Sequence, residues 1–190
     1  MVPAETVDAK GGVLLPGLID CHIHLTGTDE LVRMTQYGVT TAFDMATWPD
    51  ELLKSLRGQK GLTDIKGCGL PAIGPGSSHT HMPGMPKEAV ISNPEEAKKF
   101  VEDRVAEGAD YIKLVSDTPG PDQESINALV RTAHDKGKVV FAHAVNLEAT
   151  RMAQMAGVDI ITHAPLDGVM NDDEVRQMVE NKLCLSDEGY

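Results

Sequence analysis

Short runs of β-branched and apolar residues alternate with segments whose apolar positions recur at helical spacing, and the alternation continues along most of the 190 residues. A pattern of this kind predicts repeated βα units around a parallel sheet. The first strand is read from Leu18 to His22, after the bend marked by Pro16-Gly17, and a helix over 29–37 follows, closed by Gly38. Residues 39–45 read as the second strand, 49–58 as the second helix, and 64–73 as a third strand broken by glycine. Asn93-Pro94-Glu95-Glu96 supplies an N-cap, a first-turn proline and acidic residues at the positive end of a helix that runs to Gly108.

The later signals are stronger. Residues 110–115 form the fourth predicted strand, then come a helix over 122–136 and a strand over 138–143, and a helix over 146–155 and a strand over 158–163. A last helix over 171–181 precedes the apolar stub Leu183-Cys184-Leu185. The fold class is therefore α/β, a partial TIM (β/α)8 barrel of about six βα units plus the start of strand seven. A length of 190 residues falls short of the roughly 250 of a complete barrel.

Composition narrows the function classes. With 41% hydrophobic and 24% charged residues, the chain reads as globular and able to bury a core. Its formal charge of −12, from 29 acidic against 17 basic residues, opposes nucleic acid and anionic membrane as partners. No apolar run approaches the ~20 residues of a membrane span, and residues 1–10 lack the basic start and apolar core of a secretory signal. A cytoplasmic address is the expectation, and a homo-oligomer is compatible with the composition. Cys21, Cys68 and Cys184 are scattered without knuckle or redox spacing, which disfavours structural disulfides.

The chemistry lies at the strand ends. His22 and His24 stand two residues apart, and in a strand that spacing turns both imidazoles to one side, where they can grip one metal ion. Lys113, His143 and His163 also fall at or near the ends of predicted strands. In parallel βα folds those ends share one face, where ligands bind. A solitary histidine finishing a buried strand is commonly a hydrogen-bonded core residue, so the inference of a metal site rests on the set of five. The Gly/Pro-rich loop over 74–86 lies over the same rim; for its His79 and His81, substrate contact leads, ahead of solvent exposure and of metal binding. His134 reads as a last-turn residue facing the helix dipole, and Asp44 either orients a histidine or caps a turn. Met152 and Met155 read as helix packing.

Val13-Leu14-Leu15-Pro16-Gly17-Leu18-Ile19-Asp20-Cys21-His22-Ile23-His24 resembles the opening motif of the amidohydrolase superfamily, metal-dependent hydrolases in which such a run precedes the His-x-His of strand one. Gly108-Ala109-Asp110-Tyr111-Ile112-Lys113 is similar to the strand that carries a carboxylated lysine bridging two metals, and His143 and His163 match the single histidines of strands five and six. The resemblance is to the imidazolonepropionase-like and prolidase-like branch. It implies hydrolysis of amide bonds in dipeptides, N-acyl amino acids or small cyclic amides by metal-activated water. It also implies two divalent cations, expected to be zinc: His22, His24 and His163 around one, His143 on the other, Lys113 bridging, with His79 and His81 toward substrate. A lysine ammonium cannot ligate a metal, whereas its carbamate is an anionic two-oxygen ligand.

In the family the proton acceptor is an aspartate ending strand eight, which this sequence does not offer; Asp187 comes too early. The expected layout is a remnant of an N-terminal β-sandwich over 1–12 and an incomplete barrel over 13–190, without strand eight and most of the accessory β-sandwich. Weak turnover, low stability alone and exposed strand edges follow as expectations. The competing readings are an inactive remnant that keeps metal affinity and a mononuclear deaminase with Lys113 uncarboxylated.

Overall fold

The computed structural model describes residues 6–186. Strands and helices alternate along it: β1 (Leu18–Ile23), α1 (Thr28–Gln36), β2 (Val39–Asp44), α2 (Asp50–Leu56), β3 (Asp64–Gly67), α3 (Pro94–Glu107), β4 (Ile112–Val115), α4 (Gln123–Asp135), β5 (Val140–His143), α5 (Leu147–Ala156), β6 (Ile160–Thr162), α6 (Asp172–Glu180) and β7 (Cys184–Ser186). The helices form where their caps are written. Asn93, Asp122, Asn146 and Asn171 each accept a backbone N–H of the following turn, and Gly108 and Gly157 take the left-handed conformation that ends α3 and α5.

Every strand pair is parallel and joins neighbours in chain order, as the crossover helices require. The strands form two runs, β1-β2-β3 and β4-β5-β6-β7. Ala72 joins them: its N–H donates to the Lys113 carbonyl at 2.8 Å and its carbonyl accepts from Val115 N at 2.8 Å. The architecture is that of a partial (β/α)8 barrel. Asp187, the rest of 187–190 and the first five residues of the 1–12 segment lie outside the described residues.

Side chains alternate across the sheet and divide the core in two. Ile112, Leu114, Val140, Ala142 and Ile161 face the helices, in a cluster with Ile126, Leu129 and Val130 of α4. On the other face Tyr111 and Phe141 pack with Met45 and Cys68, against Phe43 and Ile160. The Tyr111 and Phe141 rings lie 4.6 Å apart and the Phe43 and Tyr111 rings 5.9 Å apart. One two-residue step beyond these aromatics on the same face come Lys113 after Tyr111 and His143 after Phe141.

Three sequence expectations are corrected. The third strand ends at Gly67 rather than at residue 73, because Gly69 takes a positive φ and the chain resumes pairing only through Ala72 and Ile73. The sixth ends at Thr162, one residue before His163. Met155 is exposed, whereas Met152 packs on the core as expected. His134 stands in the last turn of α4 as expected, and its Nε2 also pairs with Asp159 Oδ2 at 2.9 Å, an oxygen that accepts from Val140 N as well.

Asp44, ending β2, acts as the turn cap: its Oδ1 accepts from Leu25 N at 3.0 Å and from the Thr47 hydroxyl at 2.7 Å. Among the described residues the outer sides of β1 and β7 carry no partner strand, and Leu18, Ile19 and Leu185 are exposed there. The loops after β3 and β4 touch backbone to backbone, since a Cβ on Gly74 would sit 1.8 Å from Pro121 N.

Two stability measurements check this frame. Gly74→Ala forces those loops apart and should cost about 1–3 kcal/mol in urea unfolding; an unchanged midpoint would contradict the close contact. Asp44→Ala strands a buried donor on Leu25 and should cost about 1–3 kcal/mol, read as a lower midpoint with the same denaturant slope.

Candidate functional site

The aromatic layer closes the bottom of the barrel interior, and the polar residues one step further along the strands line a cavity of about 310 Å³ above it. Its lining brings together all five residues expected at the metal site, His22, His24, Lys113, His143 and His163, with His79 from the loop after β3. The imidazoles form a continuous series. Ring centroids are 5.3 Å apart for His24 and His22, 5.5 Å for His22 and His163, 4.7 Å for His163 and His143, and 4.9 Å for His143 and His79. His81 is exposed and does not line the cavity.

Each side chain arrives by a different local device. His22 lies within β1, and His24 follows its last residue with the same two-residue parity. Lys113 and His143 use the inward face of β4 and β5. His163 does not: strand parity aligns it with Ile161, which faces the helices, but its backbone turns to φ +75° and it lines the cavity. A histidine in the left-handed region costs about 1–3 kcal/mol, which the surrounding packing offsets.

The electrostatics suit cation ligation. Burial, followed by the Lys113 charge and the neighbouring imidazoles, lowers the pKa of His22 to about 3. His143 also falls to about 3, chiefly through burial and then through His163, His79 and Lys113. Both rings are therefore neutral near pH 7, with lone pairs free of protons. Lys113 is buried, and its Nζ donates to Thr162 Oγ1 at 3.2 Å. As an ammonium it opposes a cation in the cavity; as a carbamate it would add two anionic oxygens. The neutral imidazoles thus suit a divalent metal.

Asp117, which sequence reasoning did not single out, stands just behind the imidazoles. Its Oδ2 accepts from the Ser77 hydroxyl at 2.5 Å and pairs with His79 Nδ1 at 3.0 Å, while Oδ1 lies 4.0 Å from His143 Nε2. Burial opposes its ionisation, but the hydrogen bonds from His79 and Ser77 outweigh that effect and hold the carboxyl below its ordinary range. The signal available was position: Asp117 lies two residues past the end of β4, on the rim that carries the other ligand-type residues. The remaining wall is apolar, made by Met45, Trp48, Pro71, Met82 and Val115, and Trp48 Nε1 donates to Gly84 O at 3.0 Å across the base of the loop.

A sequence profile of the amidohydrolase family matches residues 5–63. No curated protein matches the chain by sequence. Among solved structures, a putative prolidase from Bifidobacterium longum is 26% identical with a TM-score of 0.69, over 89% of this chain and 44% of its own. A Xaa-Pro dipeptidase solved with methionine in its active site is 24% identical with a TM-score of 0.71, over 90% of this chain and 52% of its own. An amidohydrolase at 22% identity and a TM-score of 0.73 covers 97% of this chain and 56% of its own. The chain thus spans about half the length of these structures. The opening motif lies inside the segment that matches the amidohydrolase profile, and the strand-end histidines gather on one cavity, so the chain is similar to amidohydrolases in its first third and in its fold.

Proposed function

We propose that this chain carries the metal-binding part of a hydrolase that cleaves amide bonds in small molecules. One observation carries the reading: four histidines and a lysine from four different strand ends line a single cavity of about 310 Å³. His22, His24 and His163 would hold one divalent cation, His143 the other, and Lys113 would bridge them as its carbamate; zinc suits such nitrogen-rich ligation. Cations so held supply Lewis acidity and a water of lowered pKa.

The remaining work falls to the chain's own side chains. Burial keeps His22 and His143 neutral and ready to ligate. Met45, Trp48, Pro71, Met82 and Val115 offer an apolar wall for the side chain flanking the scissile amide, and His79 lines the same cavity, where its imidazole can contact the substrate. Among the described lining residues none is a carboxylate, so the cavity favours a neutral amide centre with an apolar flank. Dipeptides, Xaa-Pro dipeptides among them, and N-acyl amino acids meet that description. The similar Xaa-Pro dipeptidase and prolidase structures support a substrate of this kind.

The test is a zinc count on metal-stripped protein in bicarbonate buffer, by elemental analysis after desalting. Close to two zinc ions per chain are expected, falling to one or none in Lys113→Ala. Slow turnover of N-acyl amino acids or Xaa-Pro dipeptides should vanish with chelator and fall about 100-fold or more in Lys113→Ala. A single zinc unaffected by that substitution would favour a mononuclear deaminase instead. Two zinc ions with no turnover would favour a metal-binding remnant.

A further inference from the structure

We propose that His79, Asp117 and His143 form a divalent-cation site of their own at the edge of the cavity, with Asp117 just behind its lining. One ligand atom from each lies within 4.8 Å of the other two. His79 Nδ1 and Asp117 Oδ2 are 3.0 Å apart, and His143 Nε2 and Asp117 Oδ1 are 4.0 Å apart. Tetrahedral ligands on zinc, at about 2.0–2.1 Å from the ion, stand about 3.4 Å from one another. The first distance is shorter than that value and the second, to the other carboxylate oxygen, is longer, so side-chain shifts of about 0.5–1 Å would close the set around an ion.

Two features separate this cluster from the deeper histidines. It contains a carboxylate, whereas no aspartate or glutamate is among the described residues lining the cavity. Asp117 therefore offers a cation anionic charge that does not depend on the state of Lys113, which repels cations whenever it is an ammonium. The cluster is also rigidly built, although His79 sits in a Gly/Pro-rich loop. Ser77, fully buried, donates to Asp117 and accepts from His79 N, tying the loop after β3 to the loop after β4. Gly74 packs against Gly120 and Pro121 so closely that no side chain fits between them. Trp48 holds the far side of the loop at Gly84.

The ligands thus come from three strand-end segments fixed to one another before any ion arrives, the preorganisation that metal sites require. A borderline ion such as zinc or cobalt(II) matches two imidazoles and one carboxylate, with water completing the shell. Ligation through His79 Nδ1 leaves Nε2 for the substrate contact proposed above. The site rests on the hydrolase reading only in sharing His143, so an ion held here takes the place of the cation assigned to His143 and does not add a third; the His143 ring also lies 4.7 Å from that of His163.

The test is cobalt(II) titration of the metal-stripped full chain in bicarbonate-free buffer, followed by d–d absorption, with circular dichroism to verify folding. Wild-type protein should bind one equivalent with a tetrahedral-type spectrum. His79→Ala and Asp117→Asn should each weaken that equivalent at least tenfold, while His22→Ala leaves it within threefold. Titrations of His79→Ala and Asp117→Asn that match wild type would overturn the proposal. Weakening by Asp117→Asn alone would overturn it as well, making Asp117 an orienting acceptor for His143. An equivalent lost only in His22→Ala would refute the edge site and leave the hydrolase reading standing. One lost in His79→Ala and Asp117→Asn but kept in His22→Ala supports the edge site whatever becomes of the deeper centre.

Discussion

The constraint on which the rest depends is the two-residue period of a strand. In β4 and β5 one step converts the aromatic floor into the chemistry above it: Tyr111 is followed on the same face by Lys113, and Phe141 by His143. The same alternation sends Ile112, Leu114 and Ala142 outward to the helices, so packing of the outer layer fixes the register of the inner one. A slip of one residue would bury Lys113 among apolar helix faces and put Leu114 in the cavity, and the desolvation cost of the ammonium forbids it. The apolar core and the polar site are two readings of one pattern.

Much of this was legible in the sequence. The βα repeat, the caps at Asn93 and Asn146 and the stops at Gly108 and Gly157 rest on local backbone chemistry, which a sequence displays. So did the gathering of His22, His24, Lys113, His143 and His163, because strand-end position alone assigns a residue to the ligand-binding rim. What was hidden depends on backbone dihedrals and on contacts between loops. His163 lines the cavity through a positive φ rather than through strand parity, and no periodicity announces that. Gly69 turns the third strand away early and leaves Ala72 to pair with β4. The linkage of Ser77 to Asp117 spans 40 residues, and its importance appears only once the loops after β3 and β4 are seen to touch.

Strain and satisfaction are distributed unevenly around the cavity. The ends of β1 and β2 are tied by the buried Asp44, whose carboxylate holds Leu25 directly after His24 and whose carbonyl accepts from Tyr111 Oη at 2.6 Å. The same aspartate therefore links the first histidine pair to the aromatic floor. Across the cavity, His163 takes a costly backbone conformation next to Lys113, a buried amine surrounded by imidazoles. In the proposed function a divalent ion would draw on the lone pairs of these neutral imidazoles. Local cost of this kind is what a preorganised ligand site carries.

The central claim is that these imidazoles bind metal together. The most direct measurement is the X-ray absorption spectrum at the zinc edge of the zinc-loaded full chain. The account predicts a first shell of nitrogen and oxygen near 2.0–2.1 Å, with the outer-shell scattering of at least two imidazole rings per zinc. A shell of oxygen alone, without imidazole scattering, would contradict it.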